Sequence, residues 1–378
     1  MLIGMITMVG TALETAASFP RERGRTTRIS LEMLGNVQEA ATSANYGQLL
    51  QSILGPEAMM SADHSSTAAM ILDIITATRR YPSGMACAVT PCPKCAGVHG
   101  GIIRDMVALG EPVSFVLPAF PGKSPNLRKV LGPKPDKAEE VALEFLDGMC
   151  RRISAHYSPG AVITICSDGR VFSDVVGIRE EDITEYQRIM HVLAGRIGPD
   201  TLRLYHLDEA YPGLDHDAMR AALIAAYGED LADIRARVAG GGAPLALYRG
   251  VTRFLFEDSD VPDHDRKPSR SARQRDSRHR AYSVIQRSVA WCELLKKNFP
   301  HAVRLSIHPH PCGSDRIGIG LVNSDDNWLT PWHGVAVEKG GRFTLMKRHE
   351  AELLDTELVN HDGRPSHYRL IDARRLAS

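Results

Sequence analysis

The chain has no excess of either charge: 45 Lys and Arg are matched by 45 Asp and Glu among 378 residues. It therefore lacks the basic field that nucleic acid or an anionic membrane surface would ask of a partner, and a small or mixed-charge ligand is expected instead. There is no apolar run of bilayer length. Residues 1–13 are apolar but too short, have no basic flank before them, and precede a basic stretch at 21–28 that lies on the wrong side for a secretory signal. No membrane partner and a cytoplasmic location are expected. Seven cysteines, an odd number scattered along the chain, make no disulfide framework and fit reduced thiols. A Gly-x-Gly-x-x-Gly after a strand, a Walker loop and a Gly-x-Ser-x-Gly elbow are all missing, which removes the main support for nucleotide-binding and serine-hydrolase readings. No internal repeat occurs, and the glycines at 240–242 are the only low-complexity tract.

What is present is a globular mixture, 43% hydrophobic and 24% charged, long enough for one large or two ordinary domains. Residues 1–85 form a helical N-terminal region, with Leu34, Leu49, Leu50, Ile53, Met70, Ile71 and Ile74 among polar residues and a break at 63–66. Residues 86–257 read as an α/β core. A helix over 98–110 leads into an apolar strand from 113, and a proline-rich loop and an amphipathic helix over 137–155 follow. The pattern repeats with a continuous apolar strand at 161–167 and a helix over 180–197, then a strand at 202–207. Residues 258–280 are dense in Arg, Asp, Ser and Pro and cannot pack as core, so a charged flexible loop or a lid over an anionic substrate is expected. Residues 281–378 complete the core with a helix to 298, strands at 303–308 and 316–322, and a hairpin joining 334–338 to 343–347 through Gly340 and Gly341.

Polar groups collect where strands end, the usual ligand position in open α/β sheets. Lys123 sits in the loop after the first strand, either on a stiff turn or at a site. Asp168 and Arg170 follow the second strand; an Asp-Gly turn would account for Asp168 but not for the run through Asp174. In the segment 304–312, alternation puts Arg304, Ser306 and His308 on one face of a strand, a polar face presented to something other than core. His308 and His310 could share a metal, but no acidic or cysteine partner stands at ligand spacing, and proton transfer or hydrogen bonding needs fewer assumptions. Trp328, Trp332 and His333 suit an aromatic ligand wall or a packed turn. Cys92 and Cys95 form a single Cys-x-x-Cys knuckle that Cys87 or His99 would complete; buried thiols near a helix start explain them as well, and no metal is assigned.

Five segments in order, residues 115–126 (FVLPAFPGKSPN), 167–174 (SDGRVFSD), 287–291 (RSVAW), 304–310 (RLSIHPH) and 329–333 (LTPWH), resemble the signature segments of the pyoverdine/dityrosine biosynthesis family, whose characterised bacterial members are isonitrile synthases. The resemblance spans about residues 113–347; the first eighty residues and 258–280 carry none of it. It implies a Rossmann-like α/β fold, a mostly parallel sheet flanked by helices, with a helical N-terminal region and a smaller C-terminal β-containing part. It also implies conversion of the α-amino group of tyrosine or tryptophan to an isonitrile whose carbon comes from ribulose 5-phosphate. No cofactor is expected for that step, and an iron- and 2-oxoglutarate-dependent oxygenase usually acts afterwards as a separate protein. The family's loop more often has alanine where this chain has Gly122, an exchange expected to matter little.

Condensing an amine with a ketose phosphate and breaking the sugar down calls for a phosphate anchor, a carboxylate anchor and proton carriers. Under that reading Lys123 holds the phosphate, polarises the ketone or forms a Schiff base with it. Ser124, Asn126, Arg128, Arg170 and Arg304 bind substrate, the guanidinium groups taking phosphate and carboxylate. Asp168, Asp174, His308 and His310 do acid/base work, and Trp332 and His333 bound the aromatic pocket. Two alternatives remain open: a related enzyme that modifies another amino acid or amine, and a non-catalytic small-molecule-binding protein with a structural zinc knuckle.

Overall fold

The computed structural model describes residues 56–82, 87, 89, 92–259 and 268–371. Residues 1–55 and 83–85 of the expected helical N-terminal region lie outside them. Two apolar runs make the central strands, β1 (Val113–Pro118) and β2 (Ala161–Cys166), which pair in parallel and are covered on both faces, as continuous rather than alternating hydrophobicity requires. With β3 (Leu202–Tyr205), β4 (Val303–Ser306) and β5 (Ile317–Gly318) they form a five-stranded parallel sheet of order β3-β2-β1-β4-β5. The order reverses between β1 and β4. Loops leaving those two strands diverge there and open a crevice at the carboxyl edge.

Helices α1 (Pro56–Thr76), α2 (Gly101–Leu109), α3 (Lys137–Ser154) and, beyond α4 (Gly169–Val176), α5 (Glu180–Ile197) pack on one face through Ile71, Ile103, Leu143, Leu146 and Met190. On the other face α4 joins α6 (His216–Tyr227), α7 (Leu231–Ala239), α8 (Gly242–Asp258) and α9 (Arg270–Asn298), sealed by Phe172, Phe254, Ile285 and Trp291. A second, four-stranded sheet closes the chain: β6 (Val335–Lys339) and β7 (Arg342–Met346) form the expected hairpin, and β8 (Thr356–His361) and β9 (Arg364–Leu370) add an unforeseen one, in the order β7-β6-β9-β8. This is the Rossmann-like fold with a smaller C-terminal β part.

Several local expectations are corrected. α1 runs unbroken through 63–66. Helix α4 starts at Gly169, directly after Asp168, where an Asp-Gly turn was one expectation. Of the charged segment, residues 260–267 lie outside the described residues; Asp258 ends α8 fully buried and residues 270–280 are the start of α9, whose Ser269 cap accepts from the Ala272 amide. β4 stops at Ser306, whose hydroxyl accepts the His308 amide at 3.2 Å and turns the chain ahead of two prolines. Gly122 has φ +125°, and a Cβ there would lie 2.8 Å from Ile183 Cδ1, so the alanine exchange is a strained one in this backbone.

Candidate active site

The loop after β1 is held from three sides. Phe120 takes φ +58°, uncommon for a bulky residue; Ser167 Oγ donates to its carbonyl at 2.8 Å, and its ring packs on Trp332 at 5.3 Å. Strain held this firmly next to a strand end marks a position whose geometry is over-determined. Gly169, the first residue of α4, lets the loop approach: a Cβ there would stand 2.2 Å from the Pro121 carbonyl oxygen. The Ser124 amide donates to the Trp332 carbonyl at 3.0 Å, and Asn126 Nδ2 donates to the Glu257 carbonyl at 3.0 Å. The loop is thereby stitched to the 330–333 turn and the end of α8.

Lys123 does not present its amine to a pocket. Its Nζ is fully buried, 2.8 Å from both Asp136 Oδ2 and Glu139 Oε2, and donates to the Pro331 carbonyl at 3.1 Å. The two carboxylates are also the capping box of α3, Asp136 accepting from Ala138 and Glu139 from the Asp136 amide. Burial raises the Asp136 carboxyl to about 7 against the opposing pull of Lys123, while burial fails to outweigh the two acids at Lys123, which stays a cation. The sequence signal for these partners was the Asp-x-x-Glu spacing just before a helix.

Other candidates are also spent on the framework. Arg170 is buried and grips Glu180 at 2.7 Å, Thr184 Oγ1 at 2.6 Å and Asp208 at 3.4 Å. Asp174 is bidentate to Arg287, at 2.5 and 2.9 Å; burial alone would raise its carboxyl, but Arg287 and Arg220 hold it below the usual range. Arg128 lies on the exposed surface. Ser124 and Asn126 act on the loop's own backbone, Ser124 Oγ accepting the Asn126 amide and Asn126 Oδ1 the Arg128 amide.

The remaining candidates follow the ends of β2 and β4. Asp168, at the carboxyl end of β2, is fully buried, its Oδ1 has no partner, and burial raises its carboxyl well above the ordinary value, which favours the protonated form. His308 is equally buried. Neither ring nitrogen finds a partner, its ring stacks on Trp328 at 5.8 Å, and burial, with His310, Arg80 and His333 beside it, drives the imidazole well below its usual pKa into the neutral form. His310 Nδ1 meets Ser314 Oγ at 3.4 Å and its Nε2 has no partner. Buried polar atoms are ordinarily paired, so partnerless ones at strand ends mark candidate ligand positions. Arg304 and Arg316, the latter missed in the sequence, both reach Asp315, at 2.7 and 3.6 Å, and line a small cleft with Ser306.

Trp332 is core, packed beneath the loop, and His333 sits between Thr330 at 2.9 Å and Asp258 at 3.6 Å, lining a cleft of about 30 Å³ with Phe172 and Phe254. That volume does not admit an aromatic ring. A wider cleft of about 540 Å³ lies outside the His308 loop, between Tyr81, Pro309, Asp326, Trp328 and Lys347. Trp328 is thus shared, one face against His308 and one wall of the cleft. Cys87, Cys92 and Cys95 come together with Cys312, while His99 turns away to the Ser314 carbonyl at 3.0 Å.

A parallel sheet whose order reverses between β1 and β4, with an unpaired buried acid after β2 and an unpaired buried imidazole after β4, is a build that small-molecule enzymes use. Comparison with known proteins narrows this. The pyoverdine/dityrosine biosynthesis protein family matches residues 103–359. An L-tyrosine isonitrile synthase of Pseudomonas aeruginosa is 44% identical over 315 residues, 82% of this chain and 95% of that protein. An L-tryptophan isonitrile synthase of Fischerella ambigua is 42% identical over 282 residues, 75% of this chain and 85% of that one. The crystal structure of the PvcA protein from Pseudomonas aeruginosa superposes with a TM-score of 0.73 at 45% identity, covering 80% of this chain and 99% of that one. The chain belongs to the pyoverdine/dityrosine biosynthesis family and is an enzyme of the isonitrile synthase kind. Among the described residues no helix is long and apolar enough to cross a membrane.

Proposed function

We propose that this enzyme converts the α-amino group of an aromatic L-amino acid, tyrosine or tryptophan, to an isonitrile, with ribulose 5-phosphate as the donor of the added carbon. The observation that carries the site assignment is the pair of unpaired buried groups at neighbouring strand ends: Asp168 after β2, whose carboxyl burial raises, and a neutral, partnerless His308 after β4. One can give a proton and the other can take one, which is what imine formation and later eliminations require. His310 offers a second imidazole for hydrogen bonding, and Arg304 with Arg316 offers guanidinium groups to the phosphate or the carboxylate. The 540 Å³ cleft has room for an aromatic amino acid, with Tyr81 and Trp328 as stacking walls. Lys123 serves as a positioning residue that holds the loop.

The test is incubation of the full chain with ribulose 5-phosphate carrying ¹³C at C2 and each aromatic amino acid in turn, followed by mass spectrometry. The expected result is a labelled isonitrile from tyrosine or tryptophan. No product from any of them refutes the substrate reading, and an unlabelled isonitrile refutes the donor.

A further inference from the structure

We propose that Cys87, Cys92, Cys95 and Cys312 bind a structural zinc ion as a tetrathiolate site that ties the segment before the sheet to the histidine loop after β4. The four sulfur atoms lie within 4.8 Å of one another. Separations are 3.8 Å for Cys87 to Cys95, 3.5 Å for Cys87 to Cys312, 3.7 Å for Cys95 to Cys312 and 3.0 Å for Cys92 to Cys312. A tetrahedron with zinc–sulfur bonds of about 2.3 Å has edges of about 3.8 Å, so three of these four need almost no adjustment and the fourth opens by under 1 Å. All four are free thiols, the shortest separation being about 1 Å longer than an S–S bond. Cys92 and Cys95 flank Pro93 and Lys94 in a one-turn knuckle, and Cys312 comes from the other end of the chain between Pro311 and Gly313, the latter at φ +78°. Four sulfur donors in a tetrahedral set fit zinc, with iron as the competing ion, and leave no open position for a reacting group, which makes the site structural.

A second observation lies outside the sulfurs. Arg79 is buried, its Nη1 2.6 Å from Cys95 Sγ and its Nη2 donating to the Pro311 carbonyl at 2.7 Å. A guanidinium on a ligand sulfur offsets the net negative charge that zinc with four thiolates carries, the outer-shell support such sites use. From Arg79 the connection to the histidines is continuous. Arg79 bridges Ile319, the Arg80 amide donates to the Gly318 carbonyl at 2.8 Å, the His310 amide reaches the Arg80 carbonyl at 3.4 Å, and Arg80 Nη1 donates to the Ile307 carbonyl at 3.2 Å. Zinc at the knuckle would brace the loop carrying His308 and His310 from outside the crevice, each bound thiol giving up its proton as the metal enters.

Metal analysis of the full chain, purified without chelator, tests this. The expected result is one zinc per chain, lost in Cys95→Ser and Cys312→Ser and kept in His99→Ala and Cys292→Ser. Should the cluster variants fail to fold, wild-type protein titrated with an organomercurial is expected to release its zinc as four thiols react, and the cobalt-substituted protein to show the strong visible bands of tetrahedral thiolate cobalt. A metal-free wild type, iron in place of zinc, or zinc retained in Cys312→Ser would overturn the proposal. None of these readouts depends on the substrate.

Discussion

Replacing Lys123 by Met separates the two roles open to that residue. Each of its ion pairs spans 2.8 Å, worth about 6 kcal/mol in gross attraction at an effective dielectric of ~20. Desolvation of three buried groups cancels much of that, and removing one partner from such a cluster costs about 3–5 kcal/mol because the remaining charges stay buried unpaired. Lys123→Met is therefore expected to lower unfolding free energy by about 3–5 kcal/mol, a large part of the ~5–15 kcal/mol of an ordinary domain. Urea unfolding followed by tryptophan fluorescence measures it. The pH dependence has a definite sign. Asp136 has a folded pKa of about 7, above the usual carboxylate value of about 4, so its contribution is fully present below pH ~4 and is lost as pH rises through 7. Without the lysine that loss becomes larger, and the deficit of the variant is expected to grow from pH 6 to 8. Adding Asp136→Asn and Glu139→Gln, which keep the helix cap, should restore most of the stability. A shift under about 1 kcal/mol with activity abolished, or a borohydride-trapped adduct of ribulose 5-phosphate on Lys123, would refute the positioning role.

Three further outcomes follow from the crevice. His308→Phe keeps the stacking on Trp328 and removes two unpaired nitrogens, so the urea midpoint should hold or rise while product formation stops; continued turnover would take His308 out of the chemistry. Asp168→Asn mimics the protonated acid. Because the folded pKa of Asp168 is raised well above its unfolded value, its contribution is complete below pH ~4 and drains away as pH rises, so the variant should gain on wild type in melting temperature from pH 5 to 9. A difference that stays constant over that range contradicts a buried neutral acid. Gly169→Ala pushes a methyl to 2.2 Å from the Pro121 carbonyl and should cost about 1–3 kcal/mol in urea unfolding; a cost below about 0.5 kcal/mol would mean the loop is not held there.

Legibility followed the range of the interactions. β1 and β2 were readable because a strand covered on both faces must be apolar throughout, and α5 was read to its observed ends because its apolar period and acidic first turn are local. The strands at 303–308 and 316–322 were read too long, since what ends β4 is a hydrogen bond from the His308 amide to the Ser306 hydroxyl and what limits β5 is pairing with residues near Arg79. Which candidate residues are paired inside the framework was not legible. Strand ends directed attention to Asp168, His308 and His310, yet Arg170, Asp174 and Lys123, equally conspicuous in sequence, turned out to be paired inside the framework.

By itself, then, the sequence determined the parallel α/β class, the strand ends where polar groups emerge, and the segments that place the chain in its family, because each is a matter of local pattern. Only the tertiary structure decided which charges are spent and which are kept. Asp136 and Glu139 reach Lys123 from a helix that begins after the loop, and Cys312 meets Cys95 from 217 residues away. A side chain's protonation and partners depend on burial and on neighbours remote in the chain, and those exist only once the sheet has brought the loops of β1, β2 and β4 to one edge.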